Sequence, residues 1–436
     1  MISKHLYKTL LLLFVGLQMN AQEFLKLEDA VKIAMQNNYD IKIASNVVKI
    51  DQTNVSKGNA GMLPVVGATI TDNNGLQNVS QTRSDGTTSS LNNAKSSNLS
   101  YGVNLGWTVF DGFKMFASLQ QLKELQKLGE AQLKQTIVAK IGDVTTTYFN
   151  LVQLQQQLMA MDTTLVISNQ RLTLAQNRFS IGKASKLEVL NAQVDLNTDK
   201  TALLKLKETY VNTKILLNQI LARDTKLDFK VEATILVNDQ LKLNELLDLA
   251  QKQNPQLEAQ LINKKVSELQ LKQIKAGRYP TVALNTGYNL TDTHSMLGFT
   301  TQSNSAGLNY GFSASLNIFN GFYQNRNEKI AKLQIDNAAI AIEQQNKILE
   351  SQLNSSYQAY MTNLELTKLE KSNEAIAKQN MDITFDKFRI GTITTLEFRT
   401  AQLNYINAKV RYTEAQFQAK LSEISLNELA GNVKLQ

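Results

Sequence analysis

Apolar residues recur every seven positions through the long stretch between Gly112 and Gly182. The run comprises Ile137, Val144, Leu151, Leu158, Leu165, Leu172 and Phe179. No proline interrupts the stretch, so it predicts one helix of about 66 residues, or ~99 Å at the usual rise. A second stretch, 323–388, has the same length and carries shorter runs of the same spacing. Sustained seven-residue spacing indicates coiled-coil packing against a neighbouring helix.

Two other segments alternate apolar and polar residues with the period of a β-strand. Residues 99–109 place Leu, Tyr, Val or Trp at odd positions and Ser, Gly, Asn or Thr at even positions, and 308–318 repeat the pattern. Alternating segments of about ten residues are typical of membrane β-barrels. Strands are expected at about 62–72, 98–110, 281–290 and 307–319, with long external loops between them. An ordinary sheet in a soluble sandwich is the alternative.

Aromatic residues cluster where these predicted strands end. We expect them to form an aromatic girdle at the membrane boundary. The predicted girdle residues are Trp107, Phe110, Phe113, Phe319 and Phe322.

Four strands are too few to close a membrane barrel, since the smallest such barrels have about eight. Open strand edges in lipid would leave unpaired backbone groups at several kcal/mol each. Other copies of the chain must therefore complete the sheet. Two copies would supply eight strands and three would supply twelve, so counting predicts a homo-oligomer but not its order.

The chain is a tandem repeat. "RFSIGKASKLEVLNAQ" at 178–193 returns as "KFRIGTITTLEFRTAQ" at 387–402, 209 positions later. Each half is predicted to run helix, strand, loop, strand, very long helix, turn, helix. The expected segments are a signal peptide at 1–21, a first repeat at 22–222, a linker at 223–242 that packs outside the helical wall, and a second repeat at 243–436.

Composition narrows the function classes. The net charge is +8, but the basic residues are scattered, so no nucleic-acid site is predicted. There is no cysteine, and beyond the predicted signal peptide His294 is the one histidine. A lone histidine cannot supply a metal site or serve as the base of a serine nucleophile without partners. We therefore predict a non-enzymatic protein without a cofactor or metal.

The organisation of the chain resembles the TolC family of outer membrane efflux proteins. The duplicated plan, the Asn254-Pro255 pair and the two "G…E…AQ" turns carry the resemblance. It implies an α+β membrane protein: a homotrimer with a twelve-strand barrel in the outer membrane of a Gram-negative bacterium and an α-helical coiled-coil barrel across the periplasm. It also implies a passive exit duct of a tripartite pump, docked to a periplasmic adaptor and an inner-membrane transporter.

The two repeated turns are the candidate functional site. Gly182 and Gly391 are predicted to take positive φ and end the long helices. Ser185-x-x-Glu188 and Thr394-x-x-Glu397 match the capping box that starts a helix. The resemblance implies adaptor docking on two turns, comprising Ile181, Gly182, Lys183, Ile390, Gly391 and Thr392. It also implies an aperture lined by Glu188, Glu397, Phe388, Arg389, Ile393 and Thr400.

The family pattern is not fully kept at this aperture. Family members carry aspartates at the two glutamate positions and a further aspartate where Thr400 stands. Phe388 and Ile393 replace a tyrosine and an arginine, so a lock made of the same ion pairs is not expected, and Arg389 is a candidate substitute partner. Two other functions stay open: the same duct in type I protein secretion, and a non-conducting structural coiled-coil protein of the envelope.

Overall fold

The computed structural model describes residues 23–296 and 300–432. The predicted signal peptide lies outside the described residues. In chain order the elements are β1 (Glu23–Phe24), α1 (Leu27–Asn37), α2 (Tyr39–Asn54), β2 (Val65–Thr82), β3 (Thr88–Asp111), α3 (Lys114–Ser180), α4 (Lys186–Ile220), β4 (Phe229–Lys230), α5 (Leu243–Gln253), α6 (Pro255–Ala276), β5 (Thr281–Ser295), β6 (Gln302–Ser315), α7 (Tyr323–Ile390) and α8 (Thr395–Leu429). Two compact units result: Met1–Ser45, Gln132–Leu257 and Gln345–Gln436 form one, and Asn46–Ala131 and Glu258–Gln344 form the other.

The long helices have the predicted extent, with 67 residues in α3 and 68 in α7. In α3 the seven-residue seam is fully buried at Val144 and Leu151, but Phe179 near its end is 43% exposed. In α7 the run Leu369, Ile376, Ile383 and Ile390 is exposed throughout. The seam therefore packs within the chain near the middle of α3 and is left uncovered toward both turns.

The second unit is built on a four-stranded antiparallel sheet in the order β2-β3-β5-β6. The first two strands are longer than the sequence pattern predicts, because their pairing continues to Thr82 and Thr88. The last strand ends at Ser315 and not at 319 as expected. Ser315 pairs with Thr281, the first residue of β5, so residues beyond it have no partner strand.

The segment between the repeats contributes to the core of the first unit. Its Phe229, Val231 and Ile235 are at most 5% exposed and pack in one cluster with Tyr148. Phe229 and Lys230 also pair in parallel with Glu23 and Phe24. The predicted linker is thus firmly packed on the helices of its unit.

The repeat is visible in two equivalent asparagine joints. The Asn38 amide donates to the Ile220 carbonyl at 2.8 Å, while its side-chain oxygen accepts the N–H groups of Asp40 and Ile41. Asn254 donates to the Leu429 carbonyl at 2.9 Å and accepts from Gln256 and Leu257 in the same way. Each asparagine caps the start of one helix and ties it to the end of another.

Candidate functional site: the hairpin turns and the sheet

The turn of each helical hairpin is held by a Schellman motif around a glycine. Gly182 has φ of +73° and Gly391 has φ of +88°, the left-handed region that favours glycine. The Lys183 N–H donates to the Arg178 carbonyl at 2.8 Å, and the Thr392 N–H donates to the Lys387 carbonyl at 3.0 Å. The predicted helix ends therefore have the predicted backbone geometry.

The return helices begin with the expected side-chain caps. The Glu188 N–H donates to Ser185 Oγ at 3.3 Å, and the Glu397 N–H donates to Thr394 Oγ1 at 3.2 Å. The Glu188 carboxylate instead faces Arg178, with Oε1 3.8 Å from Nη1. Glu397 is exposed. The two glutamates thus differ: one is engaged beside a cation, and the other is free to face solvent.

Arg178 joins the two hairpins at their turns. Its Nη2 donates to the Phe388 carbonyl at 2.5 Å, and its guanidinium lies 4.9 Å from the centre of the Phe388 ring. That carbonyl belongs to the last turn of α7, where the helix dipole favours a cation. Arg178 is therefore the tip arginine that connects the two hairpins. Arg389 faces Asp386 of its own helix at 3.5 Å.

A small apolar cluster lies directly behind this contact. Phe388 and Phe398 are fully buried and stack with ring centroids 5.4 Å apart. Ile393 and Leu174 pack against them. The Phe388 side chain therefore does not line an aperture in this chain, contrary to expectation. Unlike the tyrosine of the family pattern, phenylalanine has no hydroxyl group that favours contact with water, and packing against Phe398 stabilises its ring in the interior.

The remaining predicted tip residues are solvent-exposed. Among the described residues these are Ile181, Gly182, Lys183, Arg389, Ile390, Gly391, Thr392, Glu397 and Thr400. Ile181 and Ile390 are 66% and 72% exposed, so each turn presents an apolar side chain to solvent. An open groove beside them is lined by Val166, Leu174, Phe385 and Arg389, among others.

A buried cluster of four charged residues, not anticipated from the sequence, connects the hairpins further along the helices. It comprises Arg171 of α3, Asp195 and Asp199 of α4, and Arg399 of α8, and we call it the four-charge cluster. Arg399 donates to both oxygens of Asp199 at 2.8 and 2.9 Å. Arg171 donates to Asp195, whose other oxygen lies 3.7 Å from Arg399. The cluster is electrically neutral.

Two neutral side chains add hydrogen bonds to the cluster, while Arg171 Nη1 is buried without a hydrogen-bond partner among the described residues. Ser168 donates to Asp199 at 2.6 Å, and Gln402 donates to Ser168 at 2.9 Å. Arg171, Asp199 and Gln402 are at most 3% exposed. Such groups remain buried only when paired.

The sheet separates apolar and polar side chains onto opposite faces. Residues paired across strands share a face, so Ala68, Val103, Tyr288 and Leu308 form one apolar row. Similar rows cross the sheet at every second residue of β5 from Val282 to Leu290. The apolar band is therefore ~27 Å tall along the strand at the usual rise per residue. The next row contains Asp72 and Asp292. The apolar band matches the ~25 Å of a membrane barrel and ends at carboxylates.

The opposite face is a lattice of glycine and asparagine. Gly67, Asn104, Gly287 and Asn309 form one row, and Thr69, Gly102, Asn289 and Gly307 form the next. The Asn289 amide donates to the Asn104 amide oxygen at 3.1 Å. A methyl group at Gly287 would overlap the Asn104 side chain, so the glycine makes room for the amide. This face is wettable and uncharged, as a lumen wall would be.

Four of the predicted girdle aromatics lie near the strand–helix junctions, whereas Trp107 lies within β3, opposite Leu284. Phe110 and Phe113 make an edge-to-face contact at 5.3 Å, and Phe319 and Phe322 make one at 5.4 Å. Phe113, Phe319 and Phe322 are at least 60% exposed, whereas Trp107 is 39% exposed and donates to the Met62 carbonyl. Phe319 and Phe322 lie beyond the last strand and not at its end.

No helix in the described part of the chain is both long and apolar enough to cross a membrane.

The model of the outer membrane efflux protein family matches residues 30–223 and again residues 246–432. The chain belongs to this family. The two matches coincide with the two repeats inferred from the sequence. The resemblance to the family, the outer membrane localisation with a long helical part in the periplasm, and the absence of enzymatic activity are thereby confirmed.

Individual relatives are distant. Outer membrane protein TolC of Escherichia coli strain K12 is 22% identical over 319 residues, covering 70% of this chain and 63% of that protein. The Campylobacter jejuni CmeC outer membrane channel has a TM-score of 0.77 at 17% identity, covering 93% of this chain and 85% of that one. The Neisseria gonorrhoeae MtrE outer membrane channel, described in its open state, gives 0.72 at 15% identity, covering 94% and 89%. These likenesses confirm the α+β fold of long helices and a four-stranded sheet.

Proposed function

We propose that the chain forms a homotrimer whose twelve strands make a barrel in the outer membrane, and that the trimer is the passive exit duct of a tripartite efflux pump. The sheet supports association with further copies, because β2 and β6 each have one strand neighbour among the described residues. Their free edges need partners in lipid. The apolar face would meet lipid, and the glycine–asparagine face would line the lumen. The helices of the two repeats, 22–222 and 243–436, would form the periplasmic tunnel, and residues 223–242 would pack outside the wall of that tunnel.

The docking site for a periplasmic adaptor would be the two hairpin turns. Ile181 and Ile390 expose most of their side chains, while the backbone beside them is fixed by the Schellman motifs. A rigid turn with an uncovered apolar side chain suits a partner that binds without reordering the site. An inner-membrane transporter would supply the energy through that adaptor.

The turns would also be the closing point of the duct. Arg178 supports this, because its hydrogen bond to the Phe388 carbonyl joins one hairpin to the other. Glu397 is exposed and in three copies would form a ring of carboxylates that favours cations. Glu188 would contribute less to the ring, because Arg178 lies beside it.

Conductance of the purified protein in planar bilayers tests the duct and its closure. Arg178→Ala should raise single-channel conductance by releasing the inter-hairpin contact. Arg389→Ala is the matched control, since it removes a tip arginine whose partner is on its own helix, and it should change conductance much less than Arg178→Ala does. Glu397→Gln should reduce the preference for cations. A protein that conducts in none of these forms would refute the duct and favour the structural envelope protein.

A further inference from the structure

The four-charge cluster lies between the hairpins at a fixed distance from their turns. Arg171 precedes Gly182 by eleven residues, Arg399 follows Gly391 by eight, and Asp195 and Asp199 follow Gly182 by 13 and 17, so the cluster spans ~12–26 Å along the helices from the turns. It spans α3, α4 and α8, and therefore both repeats.

The cluster and the tip contact differ in how easily they separate. Moving α8 away from α4 by less than the width of a water molecule would break the bidentate Arg399–Asp199 pair and leave both charges without partners in a site that is still dry. Moving the turns apart would break the Arg178 hydrogen bond to a backbone carbonyl, and water can replace that partner because Arg178 is half-buried. Separation is therefore much less costly at the turns than at the cluster.

We propose that the four-charge cluster is a fixed brace: the two hairpins stay joined at it, and opening is confined to the helical segments between the brace and the turns. The inference rests on the proposed function in so far as the turns are the closing point. In this proposal the four charged residues hold the first hairpin and α8 in fixed positions relative to each other. None of the four needs to contact the transported substrate.

Thiol accessibility measures this boundary directly, because the natural sequence has no cysteine. Leu174→Cys places a half-buried thiol in the apolar cluster between the brace and the turns, and Thr164→Cys places one at the brace itself, at a 1% exposed position whose carbonyl accepts a hydrogen bond from Gln402. Each is introduced into the detergent-extracted full chain with Arg178→Ala or, as control, with Lys347→Ala, which removes an exposed cation outside the turns and the cluster. The rate of modification by a small maleimide is then measured.

Confinement predicts that Arg178→Ala accelerates modification at the half-buried position 174 by about threefold or more and leaves position 164 unchanged, while Lys347→Ala changes neither. Adding Asp199→Asn to Arg178→Ala should then expose position 164 as well. Acceleration at 164 with Arg178→Ala alone would overturn the brace, and so would no acceleration at either position. Far-UV circular dichroism confirms that each variant is folded.

These experiments distinguish failure of the proposed brace from failure of the proposed duct. A duct without a brace would raise its conductance on Arg178→Ala and expose both thiols. A brace without a duct would give the predicted labelling pattern with no conductance in any form.

Discussion

Asp199 and Arg399 should be energetically coupled far more strongly than any exposed ion pair of the chain. Their side chains are 4% and 9% exposed, and the Asp199 carboxylate accepts three hydrogen bonds, two from Arg399 and one from Ser168. Asp199→Ala would leave the Arg399 guanidinium buried with Gln402 and a distant Asp195 as its remaining partners. Removing one member of a buried pair costs about 3–5 kcal/mol of unfolding free energy.

The double variant Asp199→Ala/Arg399→Ala removes both charges and leaves the Arg171–Asp195 pair neutral. Its cost should therefore be smaller than the sum of the two single costs by about 2–3 kcal/mol. Guanidinium unfolding of the detergent-extracted protein, followed by far-UV circular dichroism, supplies the three free energies. The exposed pair Lys347 and Glu350, 81% and 51% exposed, is the control cycle and should show no coupling. Additive single effects at Asp199 and Arg399 would refute the cluster as a unit.

Two further predictions concern the helical unit. Asn254→Ala removes one donated and two accepted hydrogen bonds at a buried joint and should cost about 2 kcal/mol of unfolding free energy. Asn38→Ala should cost the same by the same assay, and clearly unequal losses would contradict the equivalence of the two joints. Burial, with added repulsion from Asp143, raises the pKa of Glu428 from its ordinary 4.5 to about 7. Because the folded state binds this proton more tightly than the unfolded state, the contribution of Glu428 to stability is fully present below pH ~4.5 and is lost as the pH rises to ~7. Glu428→Gln should remove the resulting fall in melting temperature, and an unchanged pH profile would contradict the assignment.

Periodicity in the sequence was sufficient to predict the long helices, their turns and the four strands. Seven-residue and two-residue spacings can be seen within a short stretch of sequence. The turn sequence around Gly182 recurs around Gly391, and this recurrence identified the ends of both hairpins. The strand ends were less predictable, because pairing depends on how far the neighbouring strand continues. Thus β2 extends to Thr82 along β3, while β6 stops at Ser315 where β5 begins.

The charged contacts could not be predicted in this way. Asp195 and Asp199 lie one helical turn apart, as solvated residues on a helix surface often do, and Arg399 is 200 positions from Asp199. Only the packing of α8 against α3 and α4 makes the three residues neighbours. Likewise Arg178 and Arg389 both belong to a last helical turn, and the relative stagger of the hairpins decides that Arg178 crosses to the other one.

The trimeric duct is tested most directly by the native mass of the mature chain extracted with detergent from outer membranes. We predict a particle with three protein copies: closing the sheet requires more than one copy, and the proposed barrel takes four of its twelve strands from each of three. A monomer recovered from the soluble periplasmic fraction would contradict the account. The apolar face of the sheet would then need another cover, and the hairpin turns would not form an aperture.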